Sequence, residues 1–393
     1  MTLRSGRVCS GLARLLRDPR DVRGLRTGLI ANPTAVTPDL VHAAQHLSKL
    51  RATQLVALFA PEHGLWADAQ DLVELADTRE VRTGLPIFSL YGATRVPAPE
   101  QLEGLDALVF DVQDVGSRYY TFIYTMLHSM EACAAQRKRF VVLDRPNPLG
   151  GEVVEGNVLD PQFCSFVGLH PLPVRHGMTV GELALLFRAE RRLELDLRVV
   201  RMQGWRRSMS FEQTGLPWVL PSPNMPTVDT AFVYPGGCLV EGTNLSEGRG
   251  TTRPFQLVGA PWLDPWKLAD VLNDERLAGV RFRPVFFRPT FQKHAGKLCG
   301  GVEVHVTDRT RFRAYRTYLL LISHARAQDP ASFAWRQPPY EYELEKLPID
   351  ILCGTDRARR AIETQQPPAE LWREWRADEQ RFRRRRARYL LYR

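Results

Sequence analysis

Lysine is scarce in this chain: only Lys49, Lys138, Lys267, Lys293, Lys297 and Lys346 occur, against 47 Arg. Cysteine is sparse too. Cys9, Cys133, Cys164, Cys238, Cys299 and Cys353 are dispersed, with no CxxC pair and no zinc-like spacing. Scattered single thiols point to a reducing compartment. No stretch approaches the roughly 20 apolar residues of a membrane span, so no membrane partner is expected. Arg4 and Arg7 are not followed by an apolar run of about 7–15 residues before Arg14, as a secretory signal requires. The sequence therefore predicts a cytoplasmic protein. There is no G-x-G-x-x-G after a strand, no G-x-x-x-x-G-K-[ST] and no G-x-S-x-G. Nucleotide-dependent and serine-hydrolase chemistry are disfavoured, and no cofactor is expected. His170 and His176 lie in a Pro-containing loop without the i,i+4 spacing of a helical metal site, so no metal is expected either.

Positive charge is in excess, with 53 basic and 44 acidic side chains and a formal net charge of +9. Such a balance raises the question of nucleic acid. Most of the excess lies in one place, the Arg-rich ending Arg381–Arg393, and the rest of the chain is nearly neutral. That ending is expected to be a helix with Phe382, Tyr389 and Leu390 packing inward and solvated Arg heads outward. No nucleic-acid partner is expected.

A hydrophobic content of 44% and a length of 393 residues fit a globular protein of two domains rather than one. Leu25–Ile30, Leu55–Phe59, Pro86–Leu90, Ala107–Val112 and Phe140–Leu143 are short, nearly continuous apolar runs, as strands of a parallel sheet covered on both faces should be. Thr37 with Pro38 predicts a helix start. Tyr119–Gln136 predicts a crossover helix, and Thr179 with Glu182 a capping-box helix. The segment 215–262 is rich in Gly, Pro, Asn and Thr and predicts loop without long elements. Beyond it, a helix at Pro265–Leu272, strands at Val280–Phe287 and Val302–Thr307 and a helix at Thr310–Ala327 predict an α+β unit. The expected fold is α/β, with a parallel-sheet domain over 20–228 and a smaller α+β domain over 230–393.

Ligands of open α/β sheets bind beyond the carboxyl ends of the strands. Three predicted strands end in polar clusters: Pro61-Glu62-His63-Gly64, the segment 111–120 with Asp111, Asp114, Arg118 and Tyr119, and Asp144-Arg145-Pro146-Asn147. On parallel neighbours these converge on one edge. Glu62 with His63 is the most chemical pair, a carboxyl for acid–base work beside an imidazole that can tune it. The competing roles are structural: Asp111 or Asp114 as a helix cap, Asp144-Arg145 as a local ion pair. Asn224, Asp229, Glu241, Asn244, Glu247 and Arg249 fall in the Gly-rich segment. They suit either a hydroxyl-rich ligand or a solvated turn.

Taken together, 28–34, Pro61–Gly64, 111–120, Leu143–Pro148, Arg175–Thr179, Pro221–Thr227, Glu241–Thr252 and the ending Phe382…Tyr392 resemble a bacterial family of exo-acting β-N-acetylmuramidases, glycoside hydrolase family 171 of NamZ type. The resemblance spans nearly the whole chain. It implies a Rossmann-like domain and a smaller C-terminal domain with the cleft between them. It further implies release of N-acetylmuramic acid from non-reducing ends of peptidoglycan fragments, so the expected partner is a peptidoglycan-derived saccharide. By the same resemblance Glu62 leads as catalytic carboxylate with His63 beside it. Asp111, Arg118, Tyr119, Arg145, Asn147, His176, Asn224, Glu241, Asn244, Glu247 and Arg249 surround the cleft. The second carboxylate is open among Glu241, Glu247, Asp111 and Asp114, and a separation of about 5–5.5 Å would mark retention against about 6.5–9.5 Å for inversion. Where the family continues with Phe-Arg-Gly after the Glu-His-Gly turn, this chain has Leu65-Trp66-Ala67-Asp68. A rival reading is a saccharide-binding protein without catalysis.

Overall fold

The structure, a computed structural model, describes residues 7–70, 73, 76–92, 94–366 and 369–393. Arg4 of the N-terminal reading lies outside them. The first part of the chain runs α1 (Gly11–Arg17), β1 (Arg26–Ala31), α2 (Ala43–Lys49), β2 (Gln54–Ala60), β3 (Thr78–Arg79), β4 (Pro86–Ser89), α3 (Pro99–Leu102), β5 (Ala107–Asp111), α4 (Phe122–Ala135), β6 (Arg139–Leu143), β7 (Glu155–Val158), β8 (Pro173–Arg175), α5 (Val180–Glu190) and β9 (Leu197–Val200). The second runs α6 (Val228–Gly237), β10 (Leu257–Ala260), α7 (Pro265–Asp274), β11 (Val280–Phe287), β12 (Cys299–Val306), α8 (Ala314–Gln328), α9 (Pro348–Cys353), α10 (Arg357–Glu363) and α11 (Ala369–Arg386).

Among the described residues β3-β4-β2-β1-β5-β6-β9 form one sheet, parallel except for the edge strand β3. The chain winds outward from β1 through β2 and β4, then returns to β5 and winds the other way through β6 and β9. This is the doubly wound, Rossmann-like order expected. Alternation along each strand explains why the apolar runs are continuous. Leu29, Leu58, Val109, Val141 and Leu143 pack on α1 and α2 residues such as Leu12 and Leu47. Ile30, Phe59, Leu108, Phe110, Phe140 and Val142 enter the opposite core with Ile123 and Leu183. That second core continues into the C-terminal part through Val258, Val302 and Tyr315, around the antiparallel sheet β10-β12-β11. The two parts therefore share buried apolar surface.

Three expectations need correction. Thr37-Pro38 does not start a helix: Leu40 turns the backbone to φ +63°, Thr37 Oγ1 donates to the Val41 carbonyl, and α2 begins only at Ala43, capped by His42. The breaker-rich segment does hold a ten-residue helix, α6, with Pro235 inside it. Pro235 falls near its C-terminal end, where a missing N–H leaves most of the helical ladder intact. Gly236 is there for packing, because an added Cβ would lie 2.1 Å from the Ala314 carbonyl oxygen of α8.

The basic ending, finally, is not simply solvated. Arg385 pairs with Glu190 and Arg386 donates to the His176 and Gly177 carbonyls. Tyr392 Oη donates to Asp144 Oδ2 at 2.5 Å, and the Arg393 carbonyl accepts from the Arg207 backbone. The last residues thus fasten onto the first part of the chain.

Candidate active site

The chain leaves β2 through a tight turn in which His63 and Gly64 adopt φ +71° and +85°. Non-glycine residues seldom adopt such angles, so the turn is held by its surroundings. His63 Nδ1 lies 3.0 Å from the Ala69 carbonyl. Since a carbonyl only accepts, Nδ1 carries a proton. The turn aims Glu62 at the start of α4, where Thr121 Oγ1 donates to Glu62 Oε2 at 2.5 Å. Thr121 occupies the cap position of that helix but gives it no side-chain cap. Its hydroxyl serves the carboxylate instead.

The facing wall comes from the second part of the chain. A 3₁₀ turn over Cys238–Gly242 follows α6 and presents Glu241. Arg249 Nη2 donates to Glu241 Oε1 at 2.6 Å and Tyr340 Oη donates to Oε2 at 2.7 Å, so both carboxylate oxygens are held. Arg249 also reaches Glu247 at 3.3 Å, and Lys293 bridges to Glu247 at 2.8 Å. Burial drives the Tyr340 and Tyr234 phenols well above their ordinary range, so they remain hydrogen-bond donors. Burial, with Glu241 adding to it, raises the Cys238 thiol in the same way and removes it as a nucleophile.

Glu62 and Glu241 line one cavity of about 520 Å³ with Tyr119, Tyr120, Asn224 and Arg249. Each of the two carboxylate residues is only 6% exposed. Asn224 Nδ2 donates to Gln70 Oε1, tying the cavity rim to the loop after Glu62. Of the residues proposed from sequence, the cavity gathers Glu62, His63, Tyr119, Asn224, Glu241 and Arg249.

The others do different work. Asp111 and Arg145 form a buried fork, at 2.6 and 2.9 Å, across the ends of β5 and β6. The ion pair anticipated within Asp144-Arg145 is thus replaced, and Asp144 binds Thr179, Gly181 and Tyr392. Asp114 accepts from the Gly116 backbone and lies 3.5 Å from His176, whose Nδ1 accepts from Met178 N. Arg118 is fully buried and donates to the Asn157, Leu172 and Leu352 carbonyls. Asn147 clasps Leu149 N and the Met178 carbonyl. Asn244 does the same with the Ser332 carbonyl and Ala334 N. Glu247 acts behind Arg249. The sequence reading missed Thr121, Ser222, Tyr234, Tyr340 and Glu341, which also line the cavity. Thr121 directly follows the quoted 111–120 segment and was within reach. Tyr340 and Glu341 carry no local signal. Among the described residues no group of three His, Cys, Asp or Glu is placed to hold a metal ion.

Comparison with known proteins decides the lineage. Residues 27–229 match the model for the N-terminal part of exo-β-N-acetylmuramidase NamZ, and residues 232–392 match the model for its C-terminal part. The chain belongs to the NamZ family. It is 45% identical over 392 residues to the peptidoglycan β-N-acetylmuramidase NamZ of Bacillus subtilis (strain 168), covering 100% of this chain and 93% of that one. Crystal structures of two DUF1343 family proteins from Bacteroides fragilis share the NamZ-family architecture seen here. One superposes with a TM-score of 0.89 at 35% identity, covering 99% of this chain and 100% of the other. The second gives 0.76 at 30% identity, covering 98% and 99%.

Proposed function

We propose that this protein is an exo-acting glycoside hydrolase that releases N-acetylmuramic acid from the non-reducing ends of peptidoglycan fragments. The observation that carries the reading is the shared cavity: two carboxyl groups, one from each part of the chain, line one recessed space, and glycoside hydrolysis commonly uses such a pair. Glu62 is the general acid or base, since its partner is a neutral hydroxyl that can yield to substrate. Glu241, fixed by Arg249 and Tyr340, is the second carboxylate and stabilises positive charge developing on the sugar. His63 shapes the turn that aims Glu62. The residues lining the cavity are all buried, so the space suits the terminus of a sugar chain rather than its middle, which supports exo action. The division into a catalytic part over 20–228 and a part over 230–393 that completes the cleft is supported by walls arriving from both sides of that point. The six cysteines are unpaired, and no helix among the described residues is long and apolar enough to cross a membrane. The unpaired thiols support work on fragments in a reducing compartment.

Incubation with N-acetylmuramyl-β-1,4-N-acetylglucosamine, followed by mass detection of free N-acetylmuramic acid, tests the reaction directly. Tight binding of the disaccharide without release over hours would favour a binding protein instead. Glu62→Gln preserves an acceptor for Thr121 and should lower kcat by at least about 100-fold in a normally folded protein. Near-normal turnover would remove Glu62 from its role.

A further inference from the structure

A second, outer hollow of about 700 Å³ adjoins the catalytic cavity, and Glu341 lines both. Phe166 and Tyr342 line it, and Tyr91 packs against both. Tyr91 donates from Oη to Glu341 Oε2 at 3.2 Å, and its ring packs 6.0 Å from Phe166 and 5.9 Å from Tyr342. Phe166 and Tyr342 meet edge to face at 6.4 Å. The Arg95 guanidinium sits 4.0 Å above the Tyr342 ring, and His128 lies parallel to Phe166. Phe166 is buried, whereas Tyr342 is 42% exposed at the outer edge.

We propose that this outer hollow is the binding site for the sugar on the leaving-group side of the cleaved glycosidic bond. The inference rests on the muramidase reading above. Because Glu341 borders both spaces, a saccharide whose terminal ring fills the inner cavity can continue past that side chain into the outer hollow. The next ring then meets the exposed part of the Tyr342 side chain. A pyranose ring offers aromatic surfaces a layer of C–H groups, and its hydroxyl and acetamide groups need polar partners around that contact. Glu341, Glu343, His128 and Arg95 supply acceptors and donors in the same hollow. Two carboxylates offset the single guanidinium, so the hollow is not a strongly cationic site of the kind that selects an acidic peptide. Neutral sugar is the ligand it fits.

The test measures binding by isothermal titration in full-length protein carrying Glu62→Gln, so that ligand is not consumed. Adding Tyr342→Ala should raise the Kd for N-acetylmuramyl-β-1,4-N-acetylglucosamine about 10-fold and leave the Kd for free N-acetylmuramic acid unchanged. Tyr342→Phe keeps the ring and should bind both ligands as the parent does. An unchanged disaccharide Kd in the Tyr342→Ala protein, or equal weakening for both ligands, overturns the assignment. Wild-type protein that fails to hydrolyse the disaccharide, while its binding still depends on Tyr342, would overturn the hydrolase reading and uphold the outer sugar site.

Discussion

Arg118 offers the sharpest test of how structural and chemical roles divide at the strand ends. Its guanidinium is fully buried and donates to three backbone carbonyls, at 3.0 Å to Asn157, 3.0 Å to Leu172 and 2.8 Å to Leu352. The first two carbonyls belong to the sheet-bearing part of the chain and the third to α9 in the other part, so one side chain fastens the two. Substituting Arg118→Met keeps most of the apolar stem and deletes the donors. Hydrogen bonds to charged groups contribute about 1.5–3 kcal/mol each, so three lost together cost roughly 4–9 kcal/mol if they add. That is comparable with the whole net stability of a typical domain, about 5–15 kcal/mol. At about 2–4 °C per kcal/mol, the midpoint should fall by at least about 8 °C in thermal unfolding followed by circular dichroism. Turnover per folded molecule well below that midpoint should survive. A midpoint within about 2 °C of wild type together with lost turnover would refute the reasoning, because Arg118 would then be acting on substrate.

Three further outcomes are expected. Burial pushes the Asp144 carboxyl up to about 7, so the folded protein holds an extra proton between about pH 4 and 7 and loses that stabilisation as pH rises through this window. Tyr392→Phe removes a donor from the ionised carboxylate, so its cost should be about 1–2 kcal/mol near pH 8 and clearly smaller near pH 5. Equal losses in chemical denaturation at both values would count against it. Gly236→Ala forces α6 and α8 apart and should destabilise by about 1–3 kcal/mol or more, whereas an unchanged denaturation midpoint would mean the helices can separate freely. Arg249→Lys cannot span Glu241 and Glu247 with a fork, so kcat on a chromogenic muramide should drop about 10- to 100-fold with little change in KM. A loss confined to KM would instead make Arg249 a substrate contact.

The sheet was legible because β1, β2, β5 and β6 are covered on both faces, and a strand with no wet side is written as an uninterrupted apolar run. Helix α6 was not, since Pro235-Gly236-Gly237 reads as a break unless the close approach to Ala314 is known. Glu62 stood out by following a strand, and Glu241 with Arg249 by their place in a polar, Gly-rich stretch. The same logic also picked Arg118, Asn147, His176 and Asn244, which lie outside the cavity lining and bond to backbone groups. Polar side chains at the ends of buried strands and in tight loops also satisfy the backbone groups that irregular segments leave unpaired, and sequence gives no means of telling that task from chemistry. Tyr340 lay beyond reach for a different reason. It joins Glu241 from 99 residues away, and a buried tyrosine looks like any core aromatic until its hydroxyl is seen to meet a carboxylate.

The recessed cavity also governs how such an enzyme responds to its polymer. A site that admits only a terminus counts molecules rather than bonds, so at equal mass a long glycan is a dilute substrate and a short one is concentrated. Every internal cut made by a chain-splitting enzyme creates a fresh terminus, and the flux of released sugar should climb with the number of cuts. If this protein acts on termini as proposed, its pace would be set by whatever enzyme makes the cuts.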